Sequence, residues 1–245
     1  MESESLEHSA VIDNRALWSK LISRFTLFFV LIVFLGFVYH QITQDDVLPV
    51  NEISVSGVFS KLNTEELKVQ IADGVEGNFF TLSVSGLYLK LLQMPWVEQV
   101  WIHRVWPDKI KISVVEQRPV AIWKGKGLIN ETGELFLEDA SGFEKSLPIF
   151  DVNMRYKQEV IRWYRDYETI LAKYDLNITQ FLLDDRKSQT LQLSNGIKLE
   201  LGGTETAQRL TRFLKVLKSN LYREQERISS VDLRYSNGFS VAWNK

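Results

Sequence analysis

One apolar run near the N-terminus constrains this chain more than any other feature. Residues 25–44 carry no formal charge, apart from any proton on His40, and residues 25–39 are apolar with no amphipathic period. A helix rises about 1.5 Å per residue, so about 20 residues cross the roughly 30 Å hydrocarbon core of a bilayer. We therefore expect one transmembrane helix over residues 25–44, preceded by a short tail over residues 1–24.

A buried core helix and a cleaved signal peptide are the two alternatives for this run. A core helix is disfavoured because little of the sequence precedes the run to bury it. A signal peptide is disfavoured because no small-x-small cleavage motif follows, since the chain continues Tyr39-His-Gln-Ile-Thr-Gln-Asp-Asp46. An uncleaved membrane anchor is the favoured interpretation.

The charges that flank the run predict its orientation. They are Arg15, Lys20 and Arg24 before the run, and Asp45, Asp46 and Glu52 after it. The next cation along the chain is Lys61. Cationic flanks stay in the cytoplasm, so we expect a cytoplasmic N-terminal tail and an external domain that begins at about residue 45.

Composition excludes several classes of function. The chain has 29 Lys and Arg against 31 Asp and Glu, a net charge of −2, which disfavours nucleic acid as the main partner. The absence of cysteine excludes disulfides, Cys-ligated zinc, iron–sulfur clusters and a thiol nucleophile. Three scattered histidines do not predict a metal site.

Beyond Pro49 the pattern changes to short strands and helices. Ile53 and Val55 alternate on one strand, and Asn63 followed by Glu66 predicts the capped start of a helix. A second helix has the apolar stripe Leu82, Leu87, Leu91 and Leu92. Alternating segments 96–102 and 109–115 then flank the turn sequence Trp-Pro-Asp at 106–108, which predicts a hairpin. The predicted order is β-α-α-β-β.

This order carries a specific string of residues. It is Pro95-Trp96-Val97, Arg104-Val-Trp106-Pro107-Asp108, Ile110-Lys-Ile112 and Val115-Glu116-Gln-Arg118-Pro119, followed by Ala121-Ile-Trp123. The string resembles the POTRA domain of the FtsQ/DivIB family of bacterial division proteins, and the resemblance continues into residues 227–243. It implies an α+β protein with a POTRA domain over residues 48–118 and a C-terminal β-domain over residues 119–245.

The residues of the second domain independently indicate strands and two amphipathic helices. Residues 127–136 predict a hairpin that turns at 131–133, and residues 156–174 have helical spacing. Two alternating segments around Asn195-Gly196 predict another hairpin. Thr204 is the predicted cap of a second helix, and residues 230–243 are predicted to form one final strand.

The sequence offers no recognisable catalytic constellation. Asp184 and Asp185 would face opposite ways on a strand and are followed by two cations, so they predict a charged turn. Gly202-Gly203 lacks the lysine and the spacing of a phosphate-binding loop. We therefore expect no enzyme activity, no cofactor and no metal. An anchored cell-wall enzyme would need a convergent acid, base or nucleophile set, which the sequence does not offer.

The family resemblance implies a function. It implies a single-pass inner-membrane scaffold of the divisome, located at the septum, that links early division proteins to septal peptidoglycan synthesis. The implied partners are FtsB and FtsL, with FtsK, FtsW, FtsI and FtsN in the same assembly. The alternative is a POTRA-containing transport or secretion module for outer-membrane proteins, which would require a following β-barrel or several POTRA copies.

The resemblance also implies two sets of site residues. Gln99, Ile102 and Arg104 match positions implicated in recruitment to the division site. The alternative is that Ile102 packs in the core and Arg104 is a solvated charge.

The second set lies in the predicted C-terminal strand, where an unpaired edge can accept a strand from a partner. Its members are Tyr235, Ser236, Asn237, Gly238, Phe239 and Trp243, together with the upstream Arg186. Tyr235, Gly238 and Trp243 match the family's FtsB-binding positions, and Arg186 matches a basic position that pairs with the acidic part of FtsB. Ser236-Asn237 and the bulkier Phe239 depart from the family pattern. The alternative for Tyr235 and Trp243 is ordinary packing within the sheet.

Overall fold

The computed structural model describes residues 2–44 and 47–244 of the chain. Asp45 and Asp46, on which the predicted orientation partly depends, lie outside the described residues. The chain divides into two compact units, of which the first ends at Val115 and the second begins at Glu116. The expected α+β class is confirmed.

The first unit begins with the apolar helix. Helix α1 spans Glu2–Ile42, and its segment Leu21–Ile42 is the one stretch among the described residues long and apolar enough to cross a membrane. None of that segment is buried by the rest of the chain, so the buried-helix alternative is wrong. Its 22 residues would extend about 33 Å at 1.5 Å per residue.

The rest of the first unit is a three-stranded sheet with two helices. Its elements are β1 (Glu52–Ser56), α2 (Thr64–Ala72), α3 (Val84–Leu92), β2 (Val97–Val105) and β3 (Lys109–Glu116). The strand order is β1-β3-β2, with β1 parallel to β3. The side chain of Asn63 accepts hydrogen bonds from the amides of Glu65 and Glu66, which confirms the predicted start of α2.

The core of this unit lies between the two helices and the sheet. It is formed mainly by the buried residues Leu67, Ile71, Leu87, Leu91, Ile110 and Ile112. Leu82 is buried as well, although it precedes α3 rather than lying within it. Burial of these aliphatic side chains is the main stabilising contribution, about 1.5–3 kcal/mol each.

The second unit is one nine-stranded sheet with two helices. Its elements are β4 (Pro119–Trp123), β5 (Gly127–Asn130), β6 (Leu135–Leu137), β7 (Ile149–Asp151), α4 (Lys157–Leu171), β8 (Ile178–Leu183), β9 (Gln189–Leu193), β10 (Lys198–Gly202), α5 (Thr206–Val216), β11 (Ile228–Asp232) and β12 (Ser240–Trp243). The strand order is β12-β11-β10-β9-β8-β7-β4-β5-β6. Strands β10 and β11 are parallel, whereas β11 and β12 are antiparallel.

A buried tyrosine connects α4 to the sheet and to the start of α5. The Tyr167 hydroxyl donates to the side-chain carbonyl of Gln189 and shares a second hydrogen bond of 2.6 Å with the Thr206 hydroxyl. Tyr167 is 1% exposed, and this burial raises its pKa to about 12. A buried hydroxyl needs such partners, because an unsatisfied polar group in a core costs about 1–3 kcal/mol.

Two predictions for this unit are wrong. The single final strand predicted over residues 230–243 is two strands, β11 and β12, joined by a turn. The N-cap of α5 is Glu205, which adopts the left-handed conformation (φ 52°), rather than Thr204. The first difference arises because tertiary contacts, described below, hold the main chain in a turn.

Candidate partner-binding edge

Strand β12 lies at one end of the nine-stranded sheet. Among the described residues its one strand neighbour is β11, with Val241 opposite Val231 and Ser240 opposite Asp232. The amide of Asn244 donates to the carbonyl of Arg227. Hydrogen-bonding direction alternates along an antiparallel strand, so the amides of Val241 and Trp243 point away from β11.

The turn that leads into β12 is held by one arginine of α5. Arg212 Nη1 donates to the carbonyl of Ser236 (2.6 Å), and Nη2 donates to the carbonyls of Tyr235 (3.0 Å) and Gly238 (3.2 Å). The planar guanidinium group of arginine can donate hydrogen bonds to several acceptors at fixed geometry. The predicted continuous strand therefore breaks here, because these carbonyls bond to Arg212 instead of to a neighbouring strand.

Helix α5 fixes Arg212 by burying its opposite face. Leu210, Phe213 and Leu214 are fully buried in the core of the unit. Arg212 was not among the residues predicted for the site. The available signal was weak, consisting of a cation that flanks the apolar stripe of an amphipathic helix.

The predicted aromatic residues of this segment divide into two groups. Tyr235 is 57% exposed and Trp243 is 45% exposed. Phe239 instead packs against Phe213, with ring centroids 5.5 Å apart at 89°. Tyr235 and Trp243 are thus available to a partner, whereas Phe239 contributes mainly to the core that supports the turn.

Two ion pairs fix the end of β11 beside this turn. Arg234 Nη2 lies 2.6 Å from Asp232 Oδ2 and 3.2 Å from Glu200 Oε2 on the parallel neighbour β10. The side-chain hydrogen bond from Arg234 lowers the pKa of Asp232. The amide of Leu233 also donates to the carbonyl of Glu200, so the chain keeps its β10 contact up to the start of the turn.

Arg186 lies on the side of the sheet at which strands β10 and β11 end, close to the turn that leads into β12. It is exposed, in the turn between β8 and β9. A Cβ at Gly203 would lie 3.2 Å from the carbonyl oxygen of Lys187, and a Cβ at Gly202 would lie 3.2 Å from Cγ of Arg234. The glycine pair therefore lies between the Arg186 turn and Arg234, in a close approach that side chains would obstruct.

The residues predicted for recruitment lie on β2, an outer strand of the first unit's sheet. Gln99 is exposed, and Ile102 is half-buried against the unit's core. Side chains alternate between faces along a strand, so Gln99 faces away from the side that Ile102 and Arg104 share. Arg104 is not simply a solvated charge, because its Nη2 donates to the carbonyls of Leu82 (2.6 Å) and Phe80 (3.4 Å).

No cluster of metal-ligating side chains occurs among the residues that the structure describes. Asp184 Oδ1 accepts hydrogen bonds from the amides of Arg186 and Ser188, as expected for a charged turn. Asp185 lies 3.7 Å from Arg155 in an exposed ion pair. Asp184 thus stabilises the turn between β8 and β9.

A helix long and apolar enough to cross a membrane, a β-α-α-β-β unit of the POTRA type and a sheet with an open edge strand together define the architecture of this chain. Two family models match the chain. The "POTRA domain, FtsQ-type" model matches residues 48–117, and the "Cell division protein FtsQ/DivIB, C-terminal" model matches residues 121–234.

Curated relatives extend the match across both units. The cell division protein FtsQ of Escherichia coli (strain K12) is 32% identical over 80% of this chain and 73% of its own length. FtsQ of Xanthomonas campestris is 32% identical over 79% and 69%, and FtsQ of Allochromatium vinosum is 30% identical over 82% and 80%. The chain belongs to the FtsQ family of bacterial cell division proteins.

Proposed function

We propose that this chain is a bitopic inner-membrane scaffold of the divisome that binds FtsB through strand β12, with FtsL in the same complex. Its N-terminus is cytoplasmic, and the part of the chain that follows α1 is periplasmic at the septum, where it links early division proteins to septal peptidoglycan synthesis. Membership in the FtsQ family supports a role in the divisome. The FtsQ type of the matched POTRA model favours this role over outer-membrane transport.

The observation that carries the proposal is the outward-facing main chain of β12. The amides of Val241 and Trp243 and their carbonyls form the open side of an edge strand. A strand added there gains main-chain hydrogen bonds, while side-chain contacts determine its register. Exposed Tyr235 and Trp243 flank the open strand and supply apolar contact area at its two ends.

Arg186 extends the proposed surface beyond the strand. It lies beside the Gly202–Gly203 pair, which also lies close to Arg209 and to Arg234 at the start of the β12 turn. Adjacent strands are about 4.8 Å apart, so one partner segment can contact β12 and continue across the ends of β11 and β10. Acidic residues in that continuation would pair with Arg186, as the family resemblance implies.

A proline substitution tests strand addition directly. Val241→Pro removes an outward amide without removing a bond to β11, and edge strands tolerate proline. Val241→Ala is the matched control, since it makes a similar loss of packing but keeps the amide. We expect the full-length Val241→Pro protein in detergent to lose capture of FtsB at least tenfold relative to Val241→Ala. Equal capture by the two variants would place the contact elsewhere.

The orientation has a separate test. A reporter that is active only outside the cytoplasm, fused after Lys245, should be active in living cells. A silent periplasmic reporter together with an active cytoplasmic reporter at the same position would reverse the assignment.

A further inference from the structure

A buried asparagine joins the sheet-and-helix part of the first unit to the end of α1. Asn78 is 0% exposed, and its Nδ2 donates to the carbonyls of Ile42 (2.7 Å) and Gln44 (2.8 Å). Its Oδ1 accepts from the amides of Phe80 (2.8 Å) and Thr81 (2.9 Å). One side chain therefore caps the carbonyl of Ile42, the last residue of α1, which has no partner within the helix, and also holds the turn just beyond α1 and its own loop.

This contact fixes how far the loop lies from the bilayer. The apolar segment ends at Ile42, and its 22 residues match a hydrocarbon core of about 30 Å. The headgroup layer adds about 5–7 Å on each side. Phe80 follows Asn78 by two residues, which span at most about 7 Å, so it lies within or directly beside the headgroup layer.

Two aromatic side chains are exposed at this end of the unit. Phe80 is 49% exposed, and its ring meets Phe79 edge to face at 5.5 Å. Trp106, in the turn between β2 and β3, is 75% exposed. Trp and Tyr are enriched where a membrane meets water, because their amphipathic rings are accommodated among the headgroups, and the exposed ring of Phe80 would add apolar contact area beside Trp106.

Hydrogen bonds connect the Trp106 turn to the chain that leaves the membrane. The amide and the side-chain amide of Asn51 donate to the main-chain and side-chain oxygens of Asp108, both at 3.0 Å. The amide of Phe79 donates to the carbonyl of Leu48. The 78–82 loop and the 105–108 turn thus both contact the short segment that follows α1.

Arg104 connects the loop and the turn to each other. Its guanidinium donates to the carbonyls of Phe80 and Leu82, and it precedes Trp106 by two residues. The guanidinium has five N–H donors, and it remains exposed. It is therefore placed to bind lipid phosphates while it holds the loop.

We propose that Phe80, Trp106 and Arg104 form a surface that contacts the lipid headgroups of the bilayer that α1 spans. Asn78 holds this surface at the membrane through its hydrogen bonds to the end of α1, so the sheet and helices that follow α1 lie directly on the bilayer. The proposal rests on α1 being a membrane span, which is part of the proposed function.

Depth measurements with spin labels on the full-length chain test this contact with the headgroups. The chain has no cysteine, so Phe80→Cys and Trp106→Cys each introduce one nitroxide site. Val58→Cys is the matched control, since Val58 is 90% exposed and follows the far end of β1, about 16 Å along the strand from its start. The vesicles contain phosphatidylethanolamine and phosphatidylglycerol, and collisions with oxygen and with a nickel chelate report depth.

We expect labels at 80 and 106 to report headgroup depth and the label at 58 to report water. A label at Val30→Cys, within α1, reports whether the helix spans the bilayer. If position 30 lies in hydrocarbon while positions 80 and 106 are as aqueous as position 58, the proposed headgroup contact is wrong although α1 is a membrane anchor. An aqueous label at position 30 would instead overturn the anchor on which both proposals depend.

The role of Asn78 has its own variant. Asn78→Asp keeps the oxygen that accepts from Phe80 and Thr81 but loses both donations to the end of α1. We expect the label at position 80 to move toward water in this background, while the near-ultraviolet circular dichroism of the protein is retained. An unchanged depth at position 80 would show that Asn78 does not hold this surface against the headgroups.

Discussion

The guanidinium of Arg212 and the main-chain carbonyl of Ser236 are joined by a 2.6 Å hydrogen bond. This bond and two others from the same guanidinium turn the chain back at residues 235–238, so that β12 can pair with β11. The edge strand proposed to bind FtsB therefore depends on a residue of α5 that needs no contact with FtsB.

Replacing Arg212 by lysine should weaken binding through the turn. Lysine keeps the charge but cannot present donors to three carbonyls at fixed geometry. We expect FtsB affinity to fall about tenfold, equivalent to about 1.4 kcal/mol, in a titration of FtsB against the detergent-solubilised chain. Arg162→Lys, at an exposed position of α4, is the control and should bind like the parent. Parental affinity of Arg212→Lys would contradict the positioning role.

The aromatic residues of the segment should separate binding from stability. Tyr235→Ala or Trp243→Ala removes an exposed side chain, and loss of an interface anchor costs about 2 kcal/mol or more, roughly a thirtyfold loss of affinity. Their unfolding temperatures should stay near that of the parent. Phe239→Ala should lower the unfolding temperature, because Phe239 packs on Phe213. If Tyr235→Ala and Trp243→Ala lose binding only together with the fold, they are core residues.

Short sequence patterns correctly predicted those turns and caps whose geometry depends on neighbouring residues alone. The hairpin at Asn195-Gly196 forms as β9 and β10, because a two-residue turn with glycine at positive φ (87°) matches the twist of the paired strands. The Asn63 cap forms for a similar reason, since its acceptors and donors lie within three residues. The family resemblance was equally readable, because its residues recur at fixed spacing in the POTRA segment.

Contacts between distant segments were not predictable from one sequence. The break at residues 235–238 depends on Arg212, more than 20 positions upstream, so the pattern of residues 230–243 alone resembled one long strand. The hydrogen bond from Asn78 to the carbonyl of Ile42 has the same character, since the two residues are 36 positions apart. Neither pair carries a local signal, since only the folded chain brings the donor to its carbonyl.

The Asp232–Arg234 pair predicts acid sensitivity of the turn region. The hydrogen bond from Arg234 lowers the pKa of Asp232 below its usual value in the folded chain. The pair therefore contributes stability at pH values above the unfolded pKa of about 3.9, and this contribution is lost as the pH falls through the lower folded pKa. In urea unfolding between pH 7 and pH 2.5, Asp232→Asn should lose less stability on acidification than the parent does. Parallel curves for the two proteins would contradict this assignment.

Substitutions of Gln99 and Arg104 should both weaken recruitment to the division site, but they should differ in their effect on stability. Gln99 is exposed on β2, so Gln99→Ala should weaken septal localisation of a fluorescent full-length fusion and leave the unfolding temperature unchanged. Arg104→Glu should also weaken localisation, but it removes the donations to Phe80 and Leu82 and should therefore destabilise the 78–82 loop. Arg104→Lys, which can keep one of these bonds, is the matched control for charge. Normal septal localisation of Gln99→Ala and of a folded Arg104→Glu protein would remove β2 from the recruitment surface.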